Sequence, residues 1–243
     1  MMQIHDTLWP AWDPSRGPPP ITGRVQCYLV PPDRDPWQPR ESDLVLDKPN
    51  LFVRIGYQRI TAWLASNAIT TAPPRSMSVG TSATAPAVTD TVMGFEICRV
   101  LLSSASVLSL YTARLVSVFS PAQGNGDLRE IGLHDTVASG GWSDGTATAG
   151  GATTLTDSGK AWTTNEWAAG EVMIVSGTGL GQKRTISSNT ATVLTVSSSW
   201  TTNPDATSVY HVAMQRLFAH TDIAITKSGQ ALNVVWSLTQ NYV

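Results

Sequence analysis

The most chemically suggestive run in the chain is Gly141-Trp142-Ser143-Asp144-Gly145, which matches the G-x-S-x-G turn that presents a serine nucleophile, with His134, His220 and Asp135 as candidate partners. That turn needs an apolar strand before the serine and a helix after it. Ala138 to Gly141 lead in and Thr146 to Gly151 lead out, and neither run is such an element, so no serine hydrolase is expected. Gly177-Thr178-Gly179-Leu180-Gly181 has the glycine content of a phosphate loop but no helix after it, and reads as a hairpin turn. Two carboxylate pairs, Glu166 with Glu171 and Asp157 with Asp205, would suit glycoside cleavage if they converged; their setting favours solubilising edge charges. The four histidines, His5, His134, His211 and His220, have no ligand spacing, so no metal is expected. Cys27 and Cys98 fit neither a metal site nor a disulfide framework and read as small buried thiols. No catalytic residue and no cofactor are assigned, and the chain is expected not to be an enzyme.

These residues sit in a chain of uneven composition. Of its 243 residues only 14% are charged, against about 25% in an average domain, and the net charge is −2. That balance gives no footprint for gripping nucleic acid. No window has the roughly 18 consecutive apolar residues of a membrane span, and residues 1–13 lack the basic start and apolar run of a secretory leader. Serine and threonine number 24 and 29, and 21 of these 53 lie in residues 151–210, where only seven residues are charged. A mainly β chain with hydroxyl-rich surfaces is expected.

Ten of the 15 prolines lie in residues 1–50, a density that disfavours both helix and central strand. This stretch reads as an extended arm, anchored through Trp9, Trp12 and Trp37 against the chain's own body or another subunit. Val53, Tyr57, Ile60 and Leu64, with Trp63 beside them, recur at three- and four-residue spacing, which predicts one amphipathic helix over residues 51–67. Strands are expected at 75–81, 94–102, 107–119 and 128–133. A further strand is expected at 231–242, where Leu232, Val234, Trp236 and Leu238 alternate with Asn233, Val235, Ser237 and Thr239. Residues 142–213 read as a compact β module of short strands at 171–175, 183–187 and 192–197. Trp142, Trp162, Trp167 and Trp200 fall inside it. They are expected to supply its core; the functional alternative is a platform that stacks on host glycan or another partner.

Three segments resemble a pattern common in structural proteins of tailed bacteriophages. The first, RSMSVGTSATAPAVTDTVMGFEICR, matches through Val79, Gly80, Thr81, Ala85, Pro86, Asp90, Thr91, Glu96 and Arg99. The second is GDLREIGLHD, residues 126–135, and the third runs from Arg216 through Phe218, Ile225, Lys227, Leu232, Val234, Trp236 and Leu238 to Thr239. The stretch between them resembles a small β module recurring in phage tail and fibre proteins. The resemblance implies an antiparallel β-sandwich body, residues 51–141 plus 214–243, with one N-terminal helix, carrying the arm at 1–50 and the inserted all-β domain at 142–213. It implies a virion component assembled in the host cytoplasm, tail-associated as fibre, baseplate or collar. Capsid decoration (cement or head fibre) and a glycan-binding adhesin are the alternatives. Partners would be other virion proteins and further copies of the chain in trimeric or higher symmetry.

Overall fold

The structure is a computed structural model and describes residues 21–52, 56, 73–109, 112–135, 141–214 and 216–240. Seven strands come first: β1 Ile21–Val30, β2 Leu44–Phe52, β3 Pro74–Gly80, β4 Glu96–Leu101, β5 Ser104–Ser109, β6 Thr112–Phe119 and β7 Gly126–Asp135. Seven shorter ones follow: β8 Trp142–Thr146, β9 Ala149–Gly151, β10 Thr154–Thr156, β11 Glu171–Ser176, β12 Lys183–Asn189, β13 Val193–Val196 and β14 Val209–Ala213. The long strands β15 Leu217–Lys227 and β16 Ala231–Gln240 close the chain. The fold is mainly β, as expected, and the observed pairings are antiparallel.

The larger sheet has nine strands in the order β4-β3-β7-β15-β2-β1-β16-β6-β5. Six strands separate β4 from β6 in that order, yet Cys98 and Val100 of β4 share one apolar cluster with Leu115 and Phe119 of β6. Just past β4, the Ser103 amide donates to Val116 O at 2.7 Å. The sheet therefore curls back on itself into a sandwich-like body around Trp236, Phe119, Phe218, Met77 and Leu128. Strand β16 follows its alternation on the inner face, where Leu232, Val234 and Trp236 are buried. Its outer face is covered too, since Asn233 Nδ2 donates to Pro36 O at 2.8 Å.

The pairing of β1 changes the reading of residues 1–50 as an extended arm. Far from lying outside the sheet, β1 is a central strand between β2 and β16, paired along its full length from Ile21 to Val30 with β16. The ten residues of β1 contain no proline, and Val25 and Cys27 point into the core. Prolines 31, 32, 36 and 39 instead shape the connection to β2, which includes a single 3-10 turn, Glu41–Asp43. There Asp43 accepts from the Arg40 amide at 2.8 Å and pairs with Arg34. Pro49 is tolerated in β2 because the ladder from β2 to β15 involves only Leu51 and Phe52. The helix expected over residues 51–67 does not start there, because Leu51 and Phe52 still pair with β15. The rest of that segment lies outside the described residues apart from Gly56, as do Trp9 and Trp12. Trp37 lies in the β1–β2 connection and is 56% exposed.

Strands β7 and β15 are antiparallel neighbours, and all seven strands β8–β14 lie between them in the chain. Those seven form the second sheet, order β8-β14-β11-β12-β13-β10-β9, with its own core of Leu155, Val172, Ile174, Ile186, Leu194, Tyr210 and Val212. Gly177, Gly179 and Gly181 all have positive φ in the β11–β12 turn, the hairpin that the glycine spacing predicts. A Cβ at Gly177 would overlap Thr207 O. The two apolar cores share no residue. Leu155→Ala, at a fully buried site, should therefore cost about 2–5 kcal/mol and raise amide exchange in β8–β14 while leaving β1 and β16 protected, as hydrogen-exchange mass spectrometry would read.

Candidate functional site: a buried ionic junction between the two sheets

One face of the body sheet is polar and buried. On β3, Met77 and Val79 point into the core, so Ser76 and Ser78 point the other way, and both are buried. On β7, Ile131 and Leu133 are in the core, leaving Glu130, Gly132 and His134 beside Gly80, Ser78 and Ser76 in register. His220 of β15 lies opposite Gly132. Strand β4 completes the face through a bulge. Val79 pairs with Cys98 but Gly80 pairs with Glu96, so Ile97 is the extra residue. An extra residue reverses the alternation, which brings Glu96 and Arg99 onto one face although they are three apart.

Two carboxylates organise this face. Glu130 accepts from the amides of Gly94 at 2.8 Å and Phe95 at 2.6 Å and from His220 Nε2 at 3.1 Å, and His220 Nδ1 lies 3.2 Å from Asp90. Gly80 must be a glycine here, because a Cβ would run into Glu130 Oε1 and Phe95 O. Glu96 is 2% exposed and accepts both Nε and Nη2 of Arg99 at 2.7 Å, a bidentate pair. Its third donor comes from the other sheet, His211 Nε2 of β14 at 2.9 Å. The other ring nitrogen of His211 lies 2.6 Å from Asp144 Oδ1, its direct cross-strand partner on β8. Burial alone would raise the Glu96 pKa, but the Arg99 guanidinium and the hydrogen bonds from His211 and Arg99 hold it well below the carboxylate range. Burial alone would lower the His211 pKa, but the hydrogen bonds to Asp144 and Glu96 carry it above its ordinary value.

His134 is different. Burial, then the nearby Arg99 charge, pushes its pKa well below the ordinary value, and Ser78 Oγ lies 2.6 Å from its Nε2. The pair has the look of a serine–histidine couple. However, His134 Nδ1 has no hydrogen-bond partner among the described residues, the carboxylate of Glu96 lies 3.9 Å from Nε2 instead, and both Ser78 and His134 are buried. A base oriented through the wrong nitrogen, with no route for substrate, does not activate a nucleophile.

The residues singled out for chemistry are placed as follows. Ser143 sits within β8, where the strand continues to Thr146, and accepts from Trp162 Nε1 at 3.2 Å; His134 and His220 are engaged by Ser78 and Glu130. Asp135 lies 3.5 Å from Arg216. The carboxylate pairs do not form a shared site. Glu166 caps the Thr163 amide, Glu171 pairs with Lys183 at 3.1 Å, Asp157 accepts from the Tyr210 hydroxyl at 2.7 Å, and Asp205 accepts from the Thr207 amide at 2.8 Å. Both cysteines are buried free thiols, pushed up to about 12 by burial. Among the described residues no group of three or more His, Cys, Asp or Glu is arranged to hold a metal ion.

Three of the four module tryptophans take the core position expected of them. Trp162, Trp167 and Trp200 belong to the core of the seven-stranded sheet, and a buried indole offers no face to a sugar; only Trp142 is half-exposed. Arg184 packs over the Trp200 ring at 5.5 Å, and Trp162 meets Tyr210 edge-on. What the sequence reading missed is the junction itself. Its signal was faint: Glu96, Arg99 and Glu130 stand out in the resembling segments, but the histidines that join them are 90 and 115 residues away in sequence.

Arg99→Ala should destabilise the chain by about 3–5 kcal/mol, because it leaves the Glu96 carboxylate buried beside one fewer cation. Replacing Glu96 and Arg99 together by leucine removes both charges but leaves His211 Nε2 without its acceptor, and should cost only somewhat less than Arg99→Ala, as urea titrations of the three proteins would show. No protein-family model, curated protein or solved structure matches the chain.

Proposed function

We propose that the chain is a non-enzymatic structural component of a tailed-phage virion, in which the sandwich-like body carries the seven-stranded sheet as a projecting unit. The observation that supports this most is where the resembling segments meet. Gly80, Asp90, Glu96 and Arg99 belong to the first segment, Glu130 to the second and His220 to the stretch of the third, and they interlock through the Gly94 and Phe95 amides on Glu130 and the His220 ring between Asp90 and Glu130, beside the Arg99–Glu96 pair. Residues that carry the phage-type pattern are thus those that build the platform beneath the small sheet. The insertion lies between two paired body strands, so it can vary without disturbing the body.

Self-association is part of the reading. β5 is one of the two edge strands of the body sheet, exposed at every residue, with no charge and no proline, and with Val107 80% and Leu108 65% exposed. Soluble monomers usually protect such an edge; further copies or other virion proteins would cover it. Residues preceding β1, with Trp9 and Trp12, are proposed as the anchoring arm, and a tail position in fibre, baseplate or collar is favoured over capsid decoration. Burial of three of the four module tryptophans leaves little to favour the glycan-adhesin alternative.

The test is to purify tailed particles grown on the natural host and to label them with antibody raised against the seven-stranded sheet. The expected result is the chain at stoichiometric copy number at one tail location, and deletion of residues 1–20 should remove it from particles without loss of the sheet signal in circular dichroism. Particles free of the chain would overturn the proposal.

A further inference from the structure

We infer that His211 is a proton-operated clasp: protonated, it donates at once to Asp144 of its own sheet and to Glu96 of the body, and on losing the Nε2 proton it keeps Asp144, releases Glu96 and frees the seven-stranded sheet to reorient. The inference rests on the reading that the body carries this sheet as a separate unit. Its basis is geometric. Carboxylates are acceptors only, so an imidazole with a carboxylate oxygen 2.6 Å from Nδ1 and another 2.9 Å from Nε2 must donate from both nitrogens to satisfy both. A neutral ring donates from one: the shorter contact keeps the proton on Nδ1 towards Asp144, Glu96 stays satisfied by Arg99, and Nε2 then faces the Glu96 carboxylate lone pair to lone pair. His211 is fully buried, so water cannot take over the lost bond cheaply.

The charged surroundings set the direction. Glu96 and Arg99 face the ring from β4, Asp144 from β8 and the neutral His134 from β7. The adjacent strand β11 presents Met173 as its cross-strand neighbour, and Glu171, farther along β11, is committed to Lys183 of β12. Glu171 itself is raised, first by burial, and its pairing with Lys183 works against that. With the His211 pKa above its ordinary 6.5 in the folded chain, its contribution is complete below 6.5 and is lost as the pH rises through the raised value. Glu96, depressed below 4.5, contributes fully above that value and fails only in strong acid. The clasp is therefore closed below 6.5 and opens as the pH rises through the raised His211 value.

The junction has few other polar links between described residues. The other side-chain bonds that cross it between described residues are long, Lys183 Nζ to Met93 O at 3.5 Å and Arg99 Nη1 to Gly141 O at 3.4 Å. The apolar cores do not merge across it. At the two ends of the small sheet's chain the Met214 amide donates to Gly141 O at 2.9 Å, which ties its first and last described residues together.

The experiment uses the full chain carrying spin labels at Ser228→Cys on the body and Thr190→Cys on the small sheet, both exposed positions away from β5; Cys27 and Cys98 are buried and stay unlabelled. Pulsed dipolar spectroscopy reads the distance distribution across the pH range while nuclear magnetic resonance follows the His211 ring. A narrow distribution at mildly acidic pH should broaden about twofold or more as His211 loses its proton, with a midpoint above the ordinary histidine value. Asp144→Asn, on the half-exposed side of the ring, should move that midpoint to lower pH, and His211→Gln should give the broad distribution throughout. Should His211→Gln fail to fold, Asp144→Asn decides alone. A distribution that stays narrow while His211 titrates, or a midpoint indifferent to Asp144→Asn, overturns the clasp. Neither result depends on whether the chain occurs in a virion, so the two readings fail separately.

Discussion

A carboxylate that is 2% exposed must be surrounded by donors, and Glu96 imposes that demand on both sheets. Arg99 meets it from the same strand and His211 from the inserted sheet. From this one requirement follow the bulge at Ile97, the polar face opposite the Met77–Val79 side of β3, and the approach of β14 to β4. A buried ion pair is poor evidence for stability, since well-packed apolar residues of equal volume are often as stable or more so. What it supplies is direction. An apolar patch would let the small sheet settle in many orientations, whereas a bidentate pair with a third, directional donor selects one.

The second carboxylate, Glu130, does comparable work within the body. By accepting from two consecutive amides at Gly94 and Phe95, it fastens the loop between β3 and β4 across the sheet's polar face. Lys227 does the same at the far end, where its ammonium is buried and satisfied by Ser120 O, Pro121 O and Asn125 Oδ1. These three charged residues therefore lock loops and sheets together where a chain so poor in charge has few other polar anchors.

Much of the architecture was legible in the sequence because burial there is one-sided or locally punctuated. The alternation of Leu232, Val234 and Trp236 marks β16 directly, and Gly177, Gly179 and Gly181 mark a turn by their required φ. Trp162, Trp167 and Trp200 were readable as core because a small sheet has few other large side chains to bury. β1 was missed for a physical reason: proline was judged as a density over residues 1–50, whereas each proline acts only on its own and the preceding residue. In the proline-free run from Ile21 to Val30, Val25 and Cys27 keep the period of two. The junction was illegible for another reason. Its partners are joined by register across strands far apart in sequence, and one bulge decides which of them share a face.

The central claim is that Glu96 and His211 hold the two sheets together directly. A double-mutant cycle of Glu96→Gln and His211→Gln, followed by urea unfolding near neutral pH, measures that link free of other effects. A coupling energy of about 1–3 kcal/mol is the expected result. A coupling within error of zero, with each single variant folded, would contradict it.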